Sequence, residues 1–286
     1  MKIMTDSAAD LLPEEIEKLG IMVASLLIQF PDGELRAEEI ATDTFYDRLR
    51  AMRPEVPTTA MPSSGEFAEY YSRLALAGEE ILSIHISSGL SGTIRAARLG
   101  AEQSGVDVTL ADSMTLSGGQ RFQVLAAVQA AEAGWDKKAI LEHLARIRSA
   151  TEVIYTLETL EYLARGGRIG RVQALAGSLL KLKPVIKVDK ADGKYSTVGK
   201  GRTLRRTLGM IVDYVAKTYR PETPLWLSVL HGQFANQAEN LAQLLRERLS
   251  VARLEVLRIS PVLGVHTGPG IVGVAVLPMA LIEDLG

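Results

Sequence analysis

Short apolar segments alternate with amphipathic segments through the first half of the chain. The apolar runs lie at residues 2–4, 21–30, 81–86 and 106–111, and segments with helical spacing of their apolar residues follow along the chain. Strands that alternate with helices form βαβ units, in which neighbouring strands run parallel. The first half therefore predicts an α/β domain around a parallel sheet.

The pattern changes beyond residue 150. Residues 185–188 and 195–198 flank a turn at 190–194 and predict a β-hairpin. Further strands are predicted at 225–230, 254–259 and 274–277, helices at 172–182, 204–217 and 236–249, and a loop that carries His266 at 262–273. This mixture predicts an α+β domain with an antiparallel or mixed sheet. Because 286 residues exceed the usual size of one core, we expect two domains, 1–150 and 151–286.

Composition excludes several classes of partner and chemistry. Basic residues are interspersed with acidic ones and the net charge is -2, so nucleic acid is not an expected partner. The absence of cysteine removes disulfides, thiolate metal sites and cysteine nucleophiles. The first residues lack the apolar core of a signal peptide, and no segment is long enough to span a bilayer. We expect a cytoplasmic protein without stable membrane insertion, for which transient membrane contact stays open.

The stretch Ile84-His85-Ile86-Ser87-Ser88-Gly89-Leu90-Ser91-Gly92-Thr93 connects a predicted strand to a predicted helix. Its hydroxyls and backbone N–H groups would lie at the carboxyl end of the sheet, where α/β folds bind ligands and where a helix N-terminus favours an anion. The alternative is that Ser91 or Thr93 only caps the helix. Two other strands also end in polar residues, Asp6-Ser7 and Asp112-Ser113, which predicts a polar rim along one sheet edge.

Several catalytic motifs are absent from the sequence. The segment Gly89-Leu90-Ser91-Gly92-Thr93 ends in threonine, where the nucleophile elbow of serine hydrolases requires glycine. No phosphate-binding P-loop is present. The four histidines are far apart in sequence and lack the spacing of metal ligands. We therefore expect no metal, no cofactor and no catalytic residue.

Three further polar clusters have a functional and a structural interpretation. Gly166-Gly167-Arg168 fits an anion site or a helix C-cap with a solvated arginine. Lys200-Gly201-Arg202, with two more arginines at 205 and 206, fits an anionic partner or the charged start of a helix. His266-Thr267-Gly268-Pro269-Gly270 fits the mouth of a buried site or a satisfied core histidine.

Taken in order along the whole chain, these motifs resemble the DegV family of bacterial fatty-acid-binding proteins. The motifs that carry the resemblance are Asp6-Ser7 with Asp10-Leu11, Thr59-Ala60-Met61-Pro62-Ser63, residues 86–93, Asp112-Ser113, Leu160-Glu161-Tyr162-Leu163, Gly166-Gly167-Arg168-Ile169, Lys183-Pro184, Gly201-Arg202 and residues 266–270. Each motif is weak alone, and their order makes the resemblance specific.

The resemblance implies a non-enzymatic protein that holds a long-chain fatty acid between its two domains. It implies that Thr59 and Ser91 bind the fatty-acid carboxylate with His266 beside them, and the neighbouring Ser88, Gly92 and Thr93 join the expected site. It also implies that some members present the carboxylate to a separate fatty acid kinase. Family arginines that match Arg168 and Arg202 are implicated in that partnership.

One departure from the family pattern affects the same loop. The family often has serine and glutamine after the loop threonine, whereas this chain has Ala60 and Met61, which predicts a more apolar pocket mouth. The alternative function is an enzyme that acts on a small phosphorylated or carboxylated metabolite. A long apolar cavity favours fatty acid, and a short polar pocket favours the enzyme.

Overall fold

The computed structural model describes residues 1–76, 78–173 and 182–283. The strands in these ranges are β1 (Lys2–Asp6), β2 (Met22–Ala24), β3 (Leu27–Phe30), β4 (Gly33–Arg36), β5 (Thr58–Ala60), β6 (Ile81–His85), β7 (Val108–Asp112), β8 (Glu152–Leu157), β9 (Lys183–Val188), β10 (Tyr195–Gly201), β11 (Leu225–His231), β12 (Val251–Arg258) and β13 (Ile271–Pro278). The α-helices are α1 (Pro13–Leu19), α2 (Thr42–Ala51), α3 (Ser64–Ala75), α4 (Thr93–Ser104), α5 (Ser117–Glu132), α6 (Lys137–Ala150), α7 (Glu161–Arg165), α8 (Leu204–Thr218), α9 (Ala235–Arg248), α10 (Pro261–Thr267) and α11 (Ala280–Glu283). Short 3-10 helices cover Ser7–Ala9 and Ala37–Glu39.

The N-terminal sheet confirms the predicted parallel α/β fold. Its strand order is β2-β1-β6-β7, and every neighbouring pair runs parallel. The carboxyl ends of these strands meet at one edge, which is where the loops after β1, β6 and β7 begin.

The prediction of one strand over residues 21–30 is wrong. The chain forms β2 in the parallel sheet and then β3 in a separate antiparallel sheet of order β4-β3-β5. Between them, Leu26 receives a hydrogen bond at its carbonyl from Ala37 N–H and donates its own N–H to Ser7 Oγ. At Leu26 these bonds replace strand pairing, and the chain leaves the first sheet. Strand β3 then pairs with β5, so that Thr58–Ala60 belongs to the second sheet.

The C-terminal sheet has six strands in the order β10-β9-β8-β13-β11-β12. Strands β11 and β12 are parallel, and the other neighbouring pairs are antiparallel, so the predicted mixed sheet and the β9-β10 hairpin are confirmed. The predicted helix at 172–182 has residues 174–181 outside the described part of the chain. The division into domains at residues 150 and 151 stays a prediction.

The predicted loop over residues 262–273 is instead helix α10, followed by strand β13. Pro261 occupies the first turn, where its missing N–H costs nothing, and Gly268 ends the helix at a φ of 75°. His266 therefore lies in the last turn of a helix, which holds it more rigidly than a loop would.

Helix α5 joins the two large sheets. It packs against β1 and β6 on one side and against β8 and β13 on the other. Glycines at its N-terminus allow this approach, because a Cβ at Gly118 would lie 2.7 Å from Ala275 Cβ and one at Gly119 would lie 2.6 Å from Val153 Cγ2. One apolar cluster therefore contains residues of both large sheets and the fully buried Phe122 of α5.

The described ranges contain neither a membrane-spanning helix nor a cluster of metal ligands. Residues 1–76, 78–173 and 182–283 contain no helix that is long and apolar enough to cross a membrane. In the same ranges no three histidine, aspartate or glutamate side chains cluster so that they could hold a metal ion.

Candidate functional site

A cavity of about 310 Å³ lies where β5, the loop after β6 and helix α10 meet, and we name it the hydroxyl cavity. Its wall is formed by Leu26, Thr59, Ala60, Met61, Ile86, Leu90, Ser91, Gly92, Leu116, Arg168, Tyr195, Val262, Leu263 and His266. None of these residues is acidic, and one is a fixed cation. The wall is therefore apolar over most of its area, with an electropositive end that suits an anion.

Two polar side chains from distant parts of the chain meet in this wall. Thr59 Oγ1 lies 2.7 Å from His266 Nε2. Thr59 lines the cavity, whereas the exposed Thr58 that precedes it in β5 bonds to Gln29. Helix α10 supplies the histidine, and the antiparallel sheet supplies the threonine.

Within the part of the chain that the structure describes, the other imidazole nitrogen of His266 has no hydrogen-bond partner, although it is buried. Burial, and secondarily the Arg168 guanidinium, lower the pKa of His266 to about 4, so the ring is neutral at pH 7. A buried N–H without an acceptor is costly. We therefore assign the proton to Nε2, which makes Thr59 Oγ1 the acceptor of that bond and leaves the Thr59 O–H free to donate into the cavity.

Ser91 is held in a similar way at the start of helix α4. Its Oγ accepts the N–H of Thr93 at 3.3 Å and lies 2.7 Å from Thr93 Oγ1. With the buried Thr93 hydroxyl donating, the Ser91 O–H is also free to donate. Thr93 thus supports Ser91 from inside the protein, and Ser91 faces the cavity.

The remaining predicted site residues lie in different places. Gly92 is in the wall, and the side chain of Met61, which is 44% exposed, lies against it. Arg168 is also in the wall and donates to the Gly166 carbonyl at 2.7 Å. Ser88 is exposed, and its N–H points to the Asp112 carboxylate at 3.3 Å. Arg202 is exposed too. Neither Ser88 nor Arg202 lies in the cavity wall.

The predicted polar rim contains a buried network at its centre. Asp6 Oδ2 receives hydrogen bonds from His85 Nδ1 and from Ile86 N–H, both at 2.9 Å, and His85 Nε2 lies 2.7 Å from Ser83 Oγ. This is the order of a Ser-His-Asp triad, yet all three side chains are fully buried, so no substrate reaches the serine. The network instead fixes the end of β6, from which the Ser91 loop departs.

Sequence reasoning missed this network although a signal was present. Ser83 and His85 are two residues apart on a strand and therefore share a face. Asp6 ends the neighbouring strand, β1, which pairs in parallel with β6. The step that the sequence did not supply was that β1 and β6 are adjacent in the sheet, which places Asp6 beside His85.

Known proteins that are similar to this chain share its length and fold. The model of the DegV family, described as an uncharacterised protein, matches residues 1–279. A DegV domain-containing protein of Deinococcus radiodurans is 37% identical over 278 residues, which cover 97% of this chain and 96% of the relative.

Two solved structures extend the comparison to three dimensions. A DegV family protein from Thermus thermophilus, described for its fatty acid binding, is 32% identical with a TM-score of 0.90, and the match covers 97% of this chain and 99% of the other. A stearic-acid-binding protein from Eubacterium ventriosum is 25% identical with a TM-score of 0.89, and the match covers 99% of both chains. The chain therefore belongs to the DegV family.

Proposed function

We propose that this chain binds a long-chain fatty acid, with the carboxylate against the hydroxyls of Thr59 and Ser91. The observation that carries this proposal is the 2.7 Å pair of Thr59 Oγ1 and His266 Nε2, because it turns the Thr59 hydroxyl into a donor. A second hydroxyl donor and the Arg168 cation share the same wall. Donors without acidic neighbours match an anion, and the apolar remainder of the wall matches an acyl chain.

The energetics of such a complex are favourable. Each buried methylene contributes about 0.8 kcal/mol, so an acyl chain of about sixteen carbons supplies more than 10 kcal/mol before ordering costs. A buried carboxylate is expensive unless hydrogen bonds compensate it. The two hydroxyls and the nearby guanidinium provide that compensation, and the neutral His266 holds one of them in place.

Relatives support the same ligand class. The Thermus thermophilus relative is described as a fatty-acid-binding protein, and the Eubacterium ventriosum relative as a stearic-acid-binding protein. Both match nearly the whole of this chain. The apolar wall also disfavours the alternative of an enzyme for a small polar metabolite, and the proposal needs neither a cofactor nor a catalytic residue.

Lipid extraction tests the proposal. The protein is purified from cells supplied with fatty acids, denatured and extracted with organic solvent, and the extract is analysed by mass spectrometry. We expect about one fatty acid per chain, and much less from the Thr59→Val, Ser91→Ala double variant. Reproducible absence of fatty acid from the wild-type protein would contradict the proposal.

We further propose that the bound carboxylate is presented to a separate fatty acid kinase, so that the chain itself is not an enzyme and acts in the cytoplasm. The kinase would transfer the γ-phosphoryl group of ATP to a carboxylate oxygen, releasing ADP. Arg168 in the wall and Arg202 on the surface support this role, since within the described ranges neither forms an ion pair with a carboxylate. Guanidinium groups that no carboxylate neutralises suit a phosphorylated nucleotide or an acidic partner surface.

A charge reversal separates presentation from binding. Arg202→Glu should leave fatty-acid affinity within twofold of wild type but reduce acyl-phosphate formation by a purified bacterial fatty acid kinase at least tenfold. Arg246→Glu, on an exposed position of helix α9, is the matched control and should change neither quantity. Equal rates for the two variants would remove Arg202 from the proposed interface.

A further inference from the structure

Met61 differs from the other methionines in its exposure to solvent. All eight methionines fall within the described ranges, and among them only Met61 is exposed, over 44% of its surface. Met4 is fully buried, and the other six are partly buried. The chain has no cysteine, the residue that oxidants usually reach first. Exposure therefore makes Met61 the preferred target of an oxidant in this chain.

The same side chain lies in the wall of the hydroxyl cavity. Met61 lines this cavity together with Thr59 and Ser91. A Cβ at Gly92 would lie 3.1 Å from Met61 Sδ and 3.1 Å from its Cε, so the sulfur packs directly against the residue that follows Ser91. The exposed thioether is thus a neighbour of the hydroxyls to which the carboxylate is assigned.

The backbone on both sides of Met61 is fixed. Ala60, which precedes it, pairs with Leu27 in the antiparallel sheet. Pro62, which follows it, is buried and has a restricted φ. Ser63 then caps helix α3, since its N–H donates to Glu66 Oε2 at 2.9 Å and its hydroxyl accepts the Glu66 N–H at 3.2 Å. A modified side chain at residue 61 therefore stays at the mouth of the cavity.

We propose that Met61 is an oxidation site and that its conversion to the sulfoxide by a hydroperoxide weakens fatty-acid binding. The inference rests on the proposed function, because it concerns regulation of the carboxylate site at Thr59 and Ser91. In the reaction a lone pair of Sδ attacks one peroxide oxygen, so that an S–O bond forms and the O–O bond breaks. With hydrogen peroxide the leaving hydroxide takes the proton of the new S–OH group and departs as water. The sulfur loses two electrons, and the peroxide gains them.

The sulfoxide is unfavourable for a bound carboxylate. Methionine is apolar, whereas its sulfoxide is polar. The sulfoxide oxygen accepts hydrogen bonds and donates none, so it competes with the carboxylate for the hydroxyl protons of Thr59 and Ser91. It also places a partial negative charge next to the position of the anion. A carboxylate that loses a donor in a mostly apolar cavity is no longer compensated for its burial.

The modification is reversible. Methionine sulfoxide reductases return the sulfoxide to the thioether. Two thiols supply the electrons, a disulfide forms between them, and the oxygen leaves as water. Because this chain has no cysteine, a thiol reductant changes no other group in it. Oxidation and reduction of Met61 would thus lower and restore the affinity for fatty acid.

Peptide mapping tests the first half of the inference. Fatty-acid-free protein is treated with hydrogen peroxide, digested at intervals and analysed by mass spectrometry. We expect the sulfoxide to form at Met61 at least threefold faster than at any other methionine. Equal or faster oxidation of a partly buried methionine, such as Met52 or Met210, would overturn the assignment of the site.

Binding of palmitate tests the second half. For each variant we compare the dissociation constant before and after peroxide treatment. We expect the wild-type protein to bind at least tenfold more weakly after oxidation, and Met61→Leu to change less than twofold. The matched control is Met61→Leu, Leu99→Met, which moves the thioether to a position of helix α4 that is 45% exposed. Its dissociation constant should also change less than twofold, because Leu99 does not line the cavity.

Reductase treatment needs no variant and tests the same step if Met61→Leu fails to fold. A methionine sulfoxide reductase with dithiothreitol should restore the affinity of the oxidised wild-type protein to within twofold. Oxidised protein that carries the Met61 sulfoxide and binds palmitate like the reduced protein would overturn the inference. An equal loss of affinity in Met61→Leu would overturn it as well. Failure of the proposed function is distinct, since the reduced wild-type protein would then bind no palmitate.

Discussion

Gly166 and His266 are in direct contact, and the absence of a side chain at Gly166 is what allows it. A Cβ at residue 166 would lie 2.1 Å from His266 Nδ1, far inside van der Waals contact. The backbone of Gly166 thus covers one edge of the imidazole, and Thr59 binds the other. The ring is held between a hydroxyl that it orients and a glycine that excludes water from Nδ1.

Gly166→Ala should displace the imidazole and so misorient the Thr59 hydroxyl. We expect fatty-acid affinity to fall at least tenfold in a variant that remains folded. Gly209→Ala on helix α8 is the matched control, because a Cβ there meets no atom of the described residues within 4 Å and should leave affinity unchanged. Wild-type affinity in Gly166→Ala would show that the ring position does not matter. Isothermal titration with palmitate measures both variants.

Removal of the Thr59 and Ser91 hydroxyls should weaken fatty-acid binding without changing the fold or the shape of the cavity. Thr59→Val and Ser91→Ala each delete a hydrogen bond to a charged group, worth about 1.5–3 kcal/mol, or roughly ten- to a hundredfold in dissociation constant. Thr58→Val, one residue away on the exposed face of β5, should have no effect. Unchanged affinity in the double variant would exclude both hydroxyls from the carboxylate site.

The stability of the ligand-free protein should depend on His266 between pH 6.5 and 4. Burial lowers the pKa of this histidine from 6.5 to about 4, so within that range the unfolded chain binds more protons than the folded one. The free energy of unfolding therefore falls as the pH falls, by up to about 3 kcal/mol at pH 4. Urea denaturation of wild type and His266→Gln at several pH values isolates this contribution. If the free energy of unfolding has the same pH dependence in both proteins, the prediction is contradicted.

The buried Arg121 should be far more important for stability than the exposed Arg253, although both contact Glu255. The Arg121 side chain is fully buried, whereas that of Arg253 is 50% exposed. Arg121→Met leaves the Glu15 carboxylate without its cationic partner and Glu255 with only the exposed Arg253, and should cost about 3–5 kcal/mol. Arg253→Met should cost less than about 1 kcal/mol. Guanidinium denaturation compares the two, and similar losses would refute a special role for Arg121.

The sequence predicted the fold well wherever hydrophobic periodicity and turn residues, which are local signals, determine the structure. Parallel strands, the β9-β10 hairpin and the mixed C-terminal sheet all follow from such patterns. The break between β2 and β3 did not, because the bonds that turn the chain at Leu26 come from Ser7 and Ala37, which are distant in sequence. Helix α10 was missed because it is short and lies next to several glycines, a composition that is also typical of loops. Pro261 and Gly268 mark its two ends.

The candidate site likewise has parts that the sequence predicted and parts that depend on residues distant in sequence. The resemblance named Thr59, Ser91 and His266, and the fold places all three in one cavity wall. The partner of Thr59 could not be read from spacing, since 207 residues separate it from His266.

A crystal structure of the complex with octadecanoate tests the central claim most directly. We predict a carboxylate within hydrogen-bond distance of Thr59 Oγ1 and Ser91 Oγ, next to a His266 ring that still contacts Thr59. A carboxylate bound elsewhere, or a hydroxyl cavity that stays empty in a crystal saturated with the acid, would contradict the proposed function.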